Sequence, residues 1–164
     1  MMNRVIFPRA GGICRLRRRI FTSSIVGPLT RTNPSVGEYV ETTHTFCQDD
    51  VKIFGGLCGD NNPIHIDPEY AKNNSIFKGT IVHGIFVSSL FSTLFGRSIT
   101  GSIYVSQSLN FKRPVYVGTP VRARMEIKLK EDKKKGYLLT CTTQCFLEDD
   151  TLAVDGEAKV LVPK

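Results

Sequence analysis

A chain of 164 residues with 41% hydrophobic content can form one ordinary core and falls short of needing a second domain. Its formal net charge of +7 would suit nucleic acid or an anionic membrane, but residues 1–37 hold seven Arg, no Lys and no acid, and the remaining residues balance. The basicity belongs to the leader, so residues 38–164 are not expected to bind nucleic acid.

The leader, MMNRVIFPRAGGICRLRRRIFTSS, is Arg-rich, acid-free, interspersed with Val, Ile, Leu and Phe, and followed by hydroxyl residues. That composition predicts a mitochondrial transit peptide, whereas a secretory signal would need an unbroken apolar stretch that is absent here. The competing reading is a disordered basic arm that binds RNA or acidic lipid. Residues 1–37 are therefore assigned to transit peptide and flexible leader, with the mature start between Thr22 and Glu38, and residues 38–164 to the working domain. A matrix location follows. The five Cys, at 14, 47, 58, 141 and 145, have neither CxxC nor metal-site spacing and suit reduced thiols. Cys141 and Cys145 on one strand face would lie about 13 Å apart, too far to bridge.

EYVETTHTF, residues 38–46, alternates as a first strand does. QDDVKIFGGLCG reads as a short helix with acids in its first turn and glycine at its close. CGDNNPIHIDPEYA, residues 58–71, reads as a proline-broken turn crowded with polar groups. In TIVHGIFVSSLFSTLF, residues 80–95, apolar side chains occupy most of the circumference, which predicts a helix buried nearly all round. The segment is shorter than the roughly 20 residues of a bilayer crossing, and its serines are polar for one, so no membrane span is expected. The rest has period two: GSIYVSQSLNFK, then VRARMEIKLK with Val121, Ala123, Met125, Ile127 and Leu129 facing inward, then GYLLTCTTQCFL and TLAVDGEAKVLV. The predicted fold is α+β, an antiparallel sheet of about five strands around a central helix.

Within residues 58–71, Asp60 and His65 are close enough for a turn to place them side by side. A carboxylate beside an imidazole is a natural acid/base pair, and Asn62 could orient either one. The bland alternative is that Asp60 and Asn62 cap the turn and His65 is a satisfied structural histidine. Asp60, His65, Asp67 and His83 are also metal-ligating types, but no fixed coordination spacing joins them, so no metal is predicted. In Val82-His83-Gly84, the helix start offers backbone N–H groups without intrahelical acceptors, and Gly84 presents no Cβ to a substrate carbonyl. An oxyanion site is the expectation there.

GDNNPIHIDPEYA followed by TIVHGIFVSSLFS resembles the MaoC-like dehydratase family of hot-dog folds, and within it the (R)-specific enoyl-thioester hydratases. With the Arg-rich leader the likeness extends to the family's mitochondrial dehydratases. It covers residues 38–164, including FKRPVYVGTPV. The resemblance implies reversible dehydration of (R)-3-hydroxyacyl thioesters, on acyl-carrier protein or coenzyme A, to trans-2-enoyl thioesters, without cofactor or metal. It also implies Asp60 and His65 as catalytic dyad, Gly84 as oxyanion donor, Asn62, His83 and Ser92 as orienting or pocket residues, and a homodimer. Two features depart from the family pattern: Asn61, where a bulkier residue is usual, and Cys47, where a hydroxyl cap is usual. Lys112 and Arg113 are candidate contacts for a carrier phosphate, while Lys133–Lys135 reads as a solvated hairpin tip. The rival functions are enoyl-CoA hydration in fatty-acid oxidation, thioester hydrolysis on the same fold, and a non-catalytic RNA- or partner-binding role.

Overall fold

The computed structural model describes residues 24–27, 29 and 33–163. Most of the predicted leader lies outside those residues. Its described part does not stand clear of the domain: Val26 exchanges two backbone hydrogen bonds with Glu41, of 3.0 and 2.8 Å, and Ile25 and Leu29 pack against the core.

The elements run β1 (Tyr39–Thr45), α1 (Gln48–Cys58), α2 (Pro63–Ile66), α3 (Pro68–Asn73), α4 (Gly84–Ser98), β2 (Ile103–Phe111), β3 (Pro120–Lys133), β4 (Gly136–Phe146) and β5 (Leu152–Pro163). All sheet pairings are antiparallel, in the order β1-β3-β4-β5-β2. In β3 the alternation does its work as far as Ile127: Val121, Ala123, Met125 and Ile127 are fully buried, while Arg122, Arg124 and Glu126 face outward in ion pairs. Leu129 departs from the expected pattern. The register against β4 slips between Ile127 and Leu129, and this bulge flips the face, leaving Leu129 50% exposed.

Helix α4 lies across the sheet and inserts Val87, Leu90, Phe91, Leu94 and Phe95 into the core. It starts later than the apolar run does, at Gly84, because residues 80–82 are held as an extended strap by Val117 N–H on the Thr80 carbonyl (3.0 Å) and Val82 N–H on the Val115 carbonyl (2.8 Å). Nor is it buried all round. Ile85, Ser89, Ser92 and Gly96 lie on an exposed face of the single chain. The polar stretch 58–71 also differs from a plain turn: it contains two short helices, each begun by an Asx cap followed by proline, with Asn62 capping α2 and Asp67 capping α3. Lys134 and Lys135 form the exposed β3–β4 hairpin turn.

Candidate active site

Helix α1 closes on Gly59, whose φ of 84° is a left-handed conformation suited to glycine, and whose N–H reaches the Gly55 carbonyl at 2.8 Å. This sharp exit folds Asp60 back over the helix. A Cβ on Gly55 would stand 2.9 Å from the Asp60 carbonyl oxygen, so glycine there permits the approach. The Asp60 carboxylate accepts the Asn62 N–H at 3.2 Å, and the Asn62 side chain accepts the Ile64 N–H at 3.3 Å. Asn62 thus orients Asp60 through its backbone and starts α2 with its side chain.

One turn of α2 carries His65 into the interior, where the residue is 7% exposed. Its Nδ1 lies 2.8 Å from the Ile81 carbonyl oxygen. A carbonyl only accepts, so Nδ1 carries the hydrogen and Nε2 is turned toward the Asp60 carboxylate, at 3.9 Å. The same logic fixes His83. Its Nε2 donates to the Asp60 carbonyl at 2.9 Å and lies 3.9 Å from the Asp60 carboxylate, while its buried Nδ1 has no partner among the described residues. The two imidazoles stack with centroids 3.8 Å apart and planes at 27°.

These groups open onto a cavity of about 570 Å³ whose lining includes Asp60, His65, His83, Gly84, Lys112 and Arg113. Gly84 is the first residue of α4, with His83 as its N-cap, so the positive end of the helix dipole faces this space. The place its missing Cβ would occupy is taken by the Phe111 ring, 2.7 Å away. Glycine here therefore lets Phe111 close on the helix start as well as leaving the backbone accessible. Lys112 also pairs loosely with Asp155, at 3.8 Å.

Ser92 is not brought to this cavity. Two turns beyond Gly84, it sits on the exposed face of α4. Among the metal-ligating types, Asp60, His65 and His83 offer ligand atoms within 4.8 Å of one another. Asp67 stands apart, its carboxylate accepting the Glu69 and Tyr70 N–H groups. His65 Nδ1 and His83 Nε2 each lie within hydrogen-bond distance of a main-chain carbonyl, which leaves His65 Nε2 and His83 Nδ1 as the ring nitrogens not held by the backbone. Asn61, at an exposed position, places its side-chain oxygen 3.2 Å from where a Gly55 Cβ would be. At the start of α1, Asp50 compensates for the Cys47 cap by accepting the Cys47 N–H at 2.9 Å.

The model of the MaoC-like domain matches residues 31–145. The chain belongs to the MaoC-like domain family. Its relatives include a mitochondrial 3-hydroxyacyl-(acyl-carrier-protein) dehydratase of Arabidopsis thaliana, 36% identical over 99% of this chain and 93% of the relative. An (R)-specific enoyl-CoA hydratase of Aeromonas caviae is 43% identical over 78% of this chain and 95% of the relative. Among solved structures, the (R)-hydratase of A. caviae aligns with a TM-score of 0.74 at 40% identity, covering 79% of this chain and 97% of that one. The fold is the hot-dog fold of these MaoC-like hydratases.

Several groups that shape the MaoC-like site carried no signal in residue type. The Ile81 carbonyl is backbone, and Phe111 lies in a different element from the motif it covers.

Proposed function

We propose that this protein is a hydro-lyase that interconverts (R)-3-hydroxyacyl and trans-2-enoyl thioesters, working as a dehydratase on acyl-carrier-protein substrates in mitochondrial fatty-acid synthesis and accepting coenzyme A thioesters as well. The observation that carries this reading is the placement of His65, with Nδ1 2.8 Å from the Ile81 carbonyl and Nε2 3.9 Å from the Asp60 carboxylate, beside the cavity that Gly84 lines at the start of α4. The full-length likeness to a mitochondrial dehydratase supports the assignment of direction.

Dehydration removes a proton from C2 and hydroxide, leaving as water, from C3. The C2 proton is weakly acidic until charge can move onto the thioester oxygen. The Gly84 N–H and the α4 dipole would stabilise that oxygen, and the Asp60–His65 pair would take the C2 proton and protonate the departing hydroxyl. Hydration runs the same steps in reverse. Lys112 and Arg113 at the cavity suit the phosphate of a pantetheine carrier.

We further assign the transit peptide to the leader of residues 1–37, with the mature start between Thr22 and Glu38, and the working state to a homodimer. The reaction is tested with protein lacking residues 1–23 and crotonyl thioester, following loss of enoyl absorbance and the configuration of the product. Formation of the (R)-3-hydroxy product supports the assignment; a folded protein that only releases free thiol would make it a thioesterase.

A further inference from the structure

Gln48 is the first residue of α1, yet its side chain turns away from the helix and is bonded at both ends. Its Nε2 donates to the His65 main-chain carbonyl at 2.7 Å, and its Oε1 accepts the Thr80 hydroxyl at 2.8 Å. The amide orientation follows from the partners, since the carbonyl can only accept. Thr80 directly precedes Ile81, whose carbonyl holds His65 Nδ1 at 2.8 Å, and Ile81 N–H returns to the Ile64 carbonyl at 3.2 Å. The bonds close a ring: His65 carbonyl, Gln48 amide, Thr80 hydroxyl, the Thr80–Ile81 backbone, and back to the His65 ring.

Such a ring has mechanical value because α2 has only four residues. A single helical turn has almost no stability of its own, and its terminal carbonyls lack intrahelical partners. The His65 carbonyl is one of these. Gln48 satisfies it and ties it to the strap 80–82, which is anchored in turn to residues 115–117. The distance between the His65 backbone and the carbonyl that sets its tautomer is thereby fixed from both sides.

We propose that Gln48 and Thr80 are positioning residues for the acid/base step, a latch that holds His65 as the Nδ1–H tautomer with Nε2 toward Asp60. This rests on the dehydratase reading for its kinetic consequence, while the tautomer itself can be observed without turnover. Gln48→Met keeps length and removes both bonds; Thr80→Val keeps shape and removes the hydroxyl; Thr80→Ser restores it.

The experiment compares these variants with the wild type, in protein lacking residues 1–23, by crotonyl-thioester kinetics and by 15N NMR of the histidine side chains at alkaline pH. Gln48→Met is expected to lower kcat about 10-fold at nearly constant KM, the scale of a small misplacement of a reacting group. Thr80→Val should lose less, Thr80→Ser should match the wild type, and Gln48→Met/Thr80→Val should be no worse than Gln48→Met alone, because both act through one latch. His65 should change from a single Nδ1–H signal pattern in the wild type to a tautomer mixture in Gln48→Met. Wild-type kcat and a single tautomer in folded Gln48→Met and Thr80→Val would overturn the latch. Inactive but folded wild type would overturn the dehydratase reading instead, leaving the tautomer measurement to decide the latch. Should Gln48→Met fail to fold, Thr80→Val against Thr80→Ser carries the same decision.

Discussion

Asp60 and His65 differ in what holds them. The carboxylate is half-exposed and oriented by one backbone N–H, while the imidazole is buried, stacked and hydrogen-bonded. His65→Ala is expected to lower turnover by roughly 100-fold or more, the usual scale of a lost general acid or base. Adding Asp60→Asn should cost little further, because the two groups act as a unit. Steady-state rates of the single and double variants check this, and multiplicative losses would count against a shared step. The other informative residues are Cys141 and Cys145, whose thiols burial pushes up from 9.0 to about 12, with the Glu157 charge adding to the effect at Cys141. The fold favours their neutral form. Their stabilisation is therefore complete below pH 9.0 and declines as pH rises from there toward 12, while unfolded thiols ionise first. Urea midpoints measured from pH 8 to 10.5 should fall less steeply in Cys141→Ala/Cys145→Ala than in the wild type. At neutral pH a thiol reagent should label exposed Cys58 in the native protein and spare the buried Cys47, Cys141 and Cys145.

At the scale of elements, the apolar face of α4 supplies five buried core side chains, Val87, Leu90, Phe91, Leu94 and Phe95. Phe91 is fully buried, and Phe91→Ala should cost about 3–5 kcal/mol, read from denaturant midpoints. Strands were legible because alternation reports which face is buried, and β3 follows it until one extra residue reverses its parity at Leu129. A bulge changes no residue type, so the pattern contained no warning. The polar motif was legible as chemistry before it was legible as structure: Asn62-Pro63 and Asp67-Pro68 are cap-and-start signals for helices too short to show periodicity. The site is only partly a property of that motif. Its residue types named Asp60 and His65, but the Ile81 carbonyl, the Gln48 amide and the Phe111 ring come from the strap, α1 and β2, and only packing brings them there. Ser92, a pocket residue by resemblance, lies on the exposed face of α4 in the single chain, outside the lining of this cavity.

For the whole molecule, the two sheet edges are unlike. Val26 pairs along β1, whereas β2 ends the sheet with Ile103, Val105 and Phe111 each more than half exposed. An open edge with apolar side chains invites another strand, and a second copy joined through β2 would cover it. Light scattering should give twice the chain mass of 18.3 kDa, less any leader removed, and a stable, fully active monomer would contradict this. The leader divides likewise. Deleting residues 1–23 should abolish mitochondrial import and leave activity intact, but deleting residues 1–37 removes Ile25, Val26 and Leu29 from the fold and should lower the melting midpoint. Equal midpoints for the two truncations would show that this segment adds nothing. Turnover per folded molecule in Asp60→Asn, which keeps size and hydrogen bonding and removes the charge, decides whether the 58–71 motif is catalytic machinery. Hydration of crotonyl thioester should fall roughly 100-fold or more with a nearly unchanged melting midpoint; near-wild-type turnover in the folded variant would remove Asp60 from the chemistry.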